Sequence, residues 1–282
     1  MKQFFISINS SLRLSLLDFG GKGEPVIFCH FTGGCGRLWQ STIHPLKEEF
    51  HCFAYDARGH GNSSKPLDFK HYDWNIHLSD LITVIEYIKT KTKKNRIFGV
   101  GHSFGSACLS QAIIETSKYF NWEKIVLVEP ILGPKTYDFR KEKMSEIAKK
   151  RQGIFLSEEE IERVLRVKPP YKNWEKKSWE IYKKHGFALN SDGKYCLKCT
   201  PEIESYQYLY GNPVGWFEKL HKINLPVLLV YGENSELLPL SIYQMNQIKG
   251  SYLIKVPVTG HFIPQENPLL FSKIVKKWFS KT

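Results

Sequence analysis

The segment Gly101-His102-Ser103-Phe104-Gly105 has the residue types and spacing for nucleophilic chemistry. It reads G-x-S-x-G, follows the apolar run Arg96-Ile97-Phe98-Gly99-Val100, and precedes residues 106–114, which read as a helix. A strand that turns sharply into a helix holds a serine hydroxyl at the tip of the turn. The flanking glycines keep so tight a turn free of side-chain clashes. Acyl transfer by serine also needs a base for the hydroxyl proton, a carboxylate to orient that base, and donors for the oxyanion. The base candidate is His261, in Val258-Thr259-Gly260-His261-Phe262. The chain has ten histidines, so residue type alone says little. What singles out His261 is its loop position, after the last strand and before Pro264, from which a ring can reach across to a central strand.

The elements that must position these groups follow from hydrophobic periodicity. Residues 4–8 and 12–16 alternate as two opening strands. Short apolar runs at 25–29, 51–55, 96–100, 124–128, 226–231 and 251–256 read as buried strands. Residues 38–49, the repeat Trp74, Leu78, Leu81, Ile82, Ile85, Ile88, and the closing run Phe271, Ile274, Val275, Trp278, Phe279 read as helices. Strands alternating with helices imply an α/β protein with a mostly parallel sheet covered on both faces. The rhythm breaks from about 131 to 219. There Ser157-Glu158-Glu159-Glu160 is a capping box whose helix stops before Pro169-Pro170. The same interval is rich in aromatics, among them Trp174, Trp179, Tyr182 and Trp216. The expected organisation is therefore a core of residues 1–130 and 220–282 with a mostly helical lid inserted at 131–219.

Bulk properties exclude some classes. A chain of 282 residues is long enough for one large domain with an insertion. The opening Met1–Ile8 is too short an apolar run for a signal peptide, no run reaches bilayer-spanning length, and the cytoplasm is the expected compartment. The net charge of +12 reads as a lysine-rich solvated surface, because no nucleic-acid-binding signature accompanies it. Six dispersed cysteines read as reduced core thiols. Cys196-Leu197-Lys198-Cys199 is a lone C-x-x-C, without the second pair or histidines that structural zinc needs. No metal or other cofactor is expected.

The chain resembles the α/β-hydrolase superfamily over about residues 12–130 and 222–280. His30-Phe31-Thr32-Gly33-Gly34 looks like that superfamily's His-Gly-x oxyanion loop, with Phe31 in place of the usual glycine. Asp56-Ala57-Arg58-Gly59-His60-Gly61-Asn62-Ser63 looks like its D-x-R-G-x-G-x-S segment, and Gly101–Gly105 is similar to its nucleophile elbow. The resemblance implies an eight-stranded central sheet and no cofactor. It also implies backbone N–H donors at Phe104 and Thr32 for the oxyanion, and supporting hydrogen-bonding roles for His30 and His102. Asp56, Arg58, Gly59 and Gly61 read as a buried polar turn.

The acid has two candidates. Many members of that superfamily carry it three residues past a glycine, after the strand that follows the insertion. Here the third residue past Gly232 is Ser235, and Glu236 is one place further. Other members carry it at the end of the strand before the insertion, where this chain has Val128-Glu129-Pro130. A carboxylate at the tip of a buried strand beside the nucleophile strand is well placed, so Glu129 is the expected acid and Glu236 the alternative. The expected function is a serine hydrolase acting on a small acyl substrate, an ester by preference, with amide and C–C substrates left open. A serine nucleophile argues against epoxide and haloalkane chemistry, for which this fold uses aspartate. The rival readings are a ligand-binding receptor and an acyltransferase on the same fold.

Overall fold

The computed structural model of the protein describes residues 1–211 and 213–280. The strands are β1 (Lys2–Ser7), β2 (Arg13–Gly20), β3 (Pro25–Cys29), β4 (His51–Asp56), β5 (Arg96–His102) and β6 (Asn121–Val128). Three short strands lie in the insertion: β7 (Ile154–Phe155), β8 (Phe187–Leu189) and β9 (Tyr195–Leu197). The chain then returns with β10 (Val227–Gly232) and β11 (Tyr252–Val256). Eight strands form one sheet in the order β1-β2-β4-β3-β5-β6-β10-β11. β1 and β2 pair antiparallel, as do β2 and β4, and every other neighbouring pair is parallel. The mostly parallel eight-stranded sheet expected from the sequence is the one observed.

Successive strand residues face opposite sides, and both sides are covered. Ile27, Cys29, Leu229 and Tyr231 join the apolar layer under the helices Trp74–Thr92 and Phe104–Thr116. Val26, Phe28, Leu228 and Val230 join the layer under the helices Gln40–Leu46 and Pro268–Ser280. Two covered faces explain why these strands read as unbroken apolar runs and not as alternating ones.

The interval 131–219 is not purely helical. The helices Lys141–Lys150, Glu158–Leu165, Lys176–His185 and Pro201–Leu209 accompany a three-stranded antiparallel sheet in the order β7-β9-β8. Those strands have two or three residues each, too few for periodicity to reveal them. The serine cap is observed, with Ser157 Oγ accepting from the Glu160 N–H, while the Glu160 carboxylate accepts from the Leu156 N–H and not from Ser157. Pro169-Pro170 ends nothing directly; it opens the next short helix, where proline's missing N–H does no harm.

Many of the aromatics of this interval cluster with the loop after β3, while Trp216 joins the core layer that contains Trp74. Phe31, Cys35 and Leu38 pack with Trp174, Trp179, Tyr182 and Phe187. Phe31 meets Trp174 edge-on at 6.0 Å and Phe262 at 5.0 Å between ring centroids. Such pairs contribute about 0.5–1.5 kcal/mol each beyond area burial. The Glu175 N–H donates to the Gln265 carbonyl at 2.9 Å, tying the insertion to the segment after His261. Among the described residues no helix is long and apolar enough to cross a membrane.

Candidate active site

Ser103 sits where β5 passes into the helix Phe104–Thr116, with φ 57° and ψ −119°. Left-handed φ in a non-glycine residue costs on the order of 1–3 kcal/mol and persists only where the surroundings enforce it. Here they do. A Cβ on Gly101 would stand 2.5 Å from the Ser106 Cα, and one on Gly105 would stand 2.4 Å from the Cys29 carbonyl oxygen. Only glycine fits at either place. The Ser103 N–H donates to the Val128 carbonyl at 2.8 Å, which fixes the turn to the neighbouring strand. The helix begins at Phe104, two residues earlier than periodicity placed it, so its N-terminal peptide groups point at the serine's surroundings.

Glu129 is the residue after β6, with φ 44°, and is fully buried. Its Oε2 accepts from His261 Nδ1–H at 2.6 Å. A carboxylate oxygen can only accept there, so a neutral His261 carries its proton on Nδ1 and leaves Nε2 as the basic nitrogen. Glu129 has two further donors: the Gly232 N–H to Oε1 at 2.8 Å and Ser235 Oγ–H to Oε2 at 2.6 Å. The structure therefore brings Glu129 to His261, while Glu236 is exposed on the same loop as Ser235. The Ser235 role was missed in the sequence, although its signal was present: a hydroxyl stands where related chains place an acid. Ser235→Ala should fold and lower kcat by about tenfold, since a hydrogen bond to a charged group contributes about 1.5–3 kcal/mol. Steady-state kinetics check this; an unchanged kcat would make the contact incidental.

Three neutral histidines brace the surroundings. His102 Nε2–H donates to the His261 carbonyl at 2.8 Å. His30 accepts the Ala57 N–H on Nε2 at 3.0 Å, so its Nδ1–H donates to the Phe31 carbonyl at 2.8 Å. His60 accepts the Gly33 N–H on Nε2 at 3.0 Å and donates from Nδ1 to the Arg58 carbonyl at 3.0 Å. Burial pushes all three rings below the usual imidazole range, which keeps them uncharged. The loop carrying Thr32 is thus held on both sides, at Phe31 and at Gly33. Phe31, in the glycine position of the resembled motif, serves as a packing joint: its ring lies 5.1 Å from that of His102 and 5.0 Å from that of Phe262.

The buried polar turn after β4 supports the same loop. Asp56 accepts the Gly36 N–H at 2.7 Å and the Asn62 N–H at 2.9 Å. Arg58 forks onto Asp80 through Nε at 2.9 Å and Nη2 at 2.7 Å. Fork-on-carboxylate geometry suits a buried pair, since it satisfies both partners at once. Cys199 is buried, which raises its thiol above the usual range, and Cys196 is half-buried. A hollow of about 430 Å³ opens elsewhere, between residues 133–142 and 213–218, where the chain enters and leaves the insertion; Ser103, Glu129 and His261 do not line it.

Known proteins share this architecture with divergent chemistries. A Bacillus subtilis (strain 168) protein provisionally named 2-succinyl-6-hydroxy-2,4-cyclohexadiene-1-carboxylate synthase is 22% identical over 98% of this chain and 97% of its own length. Epoxide hydrolase 4 of Homo sapiens is 20% identical over 95% of this chain and 75% of its own. The crystal structure of E-2-(acetamidomethylene)succinate hydrolase superposes with a TM-score of 0.82 at 18% identity, covering 99% of each chain. At such identities the likeness carries the fold and no substrate. The sequence profile described as serine aminopeptidase, S33, matches residues 25–241. A match over so much of the chain, on this strand order, places the protein in the α/β-hydrolase superfamily, as a hydrolase-fold chain of the family described as serine aminopeptidase, S33.

Proposed function

We propose that the protein is a serine hydrolase that cleaves a small carbonyl substrate, an ester by preference, through an acyl-enzyme. The observation that carries this reading is the 2.6 Å bond from His261 Nδ1–H to the buried Glu129 carboxylate, because it leaves Nε2 basic on a ring 5.0 Å from that of His102, the residue before Ser103. In this reading Ser103 Oγ attacks the carbonyl carbon and its proton passes to His261 Nε2. The tetrahedral oxyanion is taken by the N–H groups of Thr32 and Phe104, the latter at a helix N-terminus where negative charge is favoured. His261 then protonates the leaving group. Water, deprotonated by His261 in turn, releases the acid and restores Ser103.

The nucleophile supports separation from the epoxide hydrolases among the relatives, since the fold's epoxide chemistry uses an aspartate at the elbow. Residues 131–219 act as the lid over the site. The shared cluster of Phe31, Trp174 and Phe262 supports this, and it would offer apolar surface to an acyl chain. The test is labelling by a fluorophosphonate probe, followed by a panel of short and long acyl esters with amides beside them. Stoichiometric labelling at Ser103 and turnover of at least one ester are expected. Tight binding of a small ligand with no turnover of any substrate would replace this reading with that of a receptor.

A further inference from the structure

Glu266 follows His261 by five residues, on the one-turn helix Ile263–Glu266. It is half-buried and takes no part in the sequence motifs. Its Oε2 accepts the Gly260 N–H at 2.9 Å, and its own backbone N–H donates to the Phe262 carbonyl at 2.8 Å. Gly260 and Phe262 are the two residues flanking His261. Glu266 therefore ties the residues on both sides of the base, Gly260 through its carboxylate and Phe262 through its backbone.

We propose that Glu266 is a positioning residue for His261: it clasps the backbone on both sides of the base and places a second negative charge behind it. This rests on the reading of His261 as the base for Ser103. The loop needs such a tie. It enters through Val258, an exposed β-branched residue at φ 61°, a conformation that favours relaxation to another geometry unless something holds it. Ring orientation comes from elsewhere, through Glu129 on Nδ1, and His102 holds the His261 carbonyl. Glu266 instead fixes the peptide planes from which the ring hangs. Burial and the nearby Glu129 charge raise its pKa from the usual carboxylate value, while the Gly260 N–H and His261 act the other way. A carboxylate in so desolvated a place interacts strongly with whatever it touches. Its tie to the insertion is indirect: its neighbour Gln265 accepts the Glu175 N–H through the backbone.

The experiment compares Glu266→Gln and Glu266→Asp with the parent protein. Glu266→Gln keeps the shape and loses the charge that strengthens the bond to the Gly260 N–H. It is expected to melt within a few degrees of the parent and to lose about 10–100-fold in kcat, with KM within about threefold, because misplacing a catalytic group by an ångström costs about that much. Fluorophosphonate labelling should slow by the same factor, since labelling also needs the base. Glu266→Asp keeps the charge one methylene short and should recover part of the loss. Folded Glu266→Gln with unchanged kcat would overturn the proposal. Amide hydrogen exchange on the parent protein is independent of any variant's folding. The Gly260 N–H should exchange slowly, and fast exchange there would refute the clasp. The two readings fail separately. Turnover surviving in Ser103→Ala sinks the hydrolase mechanism but not the clasp, whereas an inactive Ser103→Ala beside a fully active Glu266→Gln sinks only the clasp's role in catalysis.

Discussion

Ser103→Ala is expected to lower kcat on any ester substrate by about 10⁴-fold or more while leaving the fold intact. The hydroxyl is the bond-forming atom in the proposed mechanism, and nothing nearby substitutes for it. The residual rate would come from the oxyanion donors and from binding alone. Stability should change little, because alanine keeps the Cβ and therefore the same left-handed strain at φ 57°. The check is kinetic: turnover on the best ester of the panel, with labelling by the fluorophosphonate probe. Labelling retained in the alanine variant would refute the assignment of the nucleophile.

Glu129→Gln is expected to be nearly as damaging, with kcat down about 10³–10⁴-fold. Three donors converge on Glu129: His261 Nδ1–H, the Gly232 N–H and Ser235 Oγ–H. An amide has only one acceptor oxygen, so at least one donor faces an NH₂ group. If that donor is His261, the ring takes the wrong tautomer and Nε2 ceases to be basic. Glu236→Gln should leave kcat within about twofold, as befits an exposed surface carboxylate. Paired kinetics on the two variants decide between the carboxylates, and the reverse outcome would move the acid role to Glu236.

Much of this architecture was legible in the sequence, for physical reasons. Strands buried on both faces must be continuous apolar runs, and the half-exposed β1 alternates instead, so the strands of the main sheet could be found from hydrophobicity. The elbow was legible because its tight turn tolerates only glycine at 101 and 105, leaving a residue-type signature. Glu129 stood out as a carboxylate ending a buried strand, which is costly without partners. What stayed hidden involves backbone partners or very short elements. Glu266 and His60 act on peptide N–H groups, which every residue but proline offers, so no pattern at the recipient positions reveals them. The three strands of the insertion are shorter than one period of alternation plus its ends. Phe31 reads as a departure from a motif, and only packing shows that its ring fills a joint with Trp174 and Phe262.

The position of Glu129 bears on chimera design. Ser103 and Glu129 lie before residue 131, while Ser235, His261 and Glu266 lie after 219, so the whole proposed machinery sits outside the inserted interval. A segment from another hydrolase can therefore be spliced between Pro130 and residue 220 as a cassette without moving any of these groups along the chain. Several joints restrict the donor segment, among them Trp216 against Trp74 and the Gln207 side chain on His77. It must bring an aromatic ring to where Trp174 meets Phe31 and Phe262, and a peptide N–H to the Gln265 carbonyl now satisfied by Glu175. A cassette chosen by length alone would leave Phe31 without the Trp174 ring that it now meets.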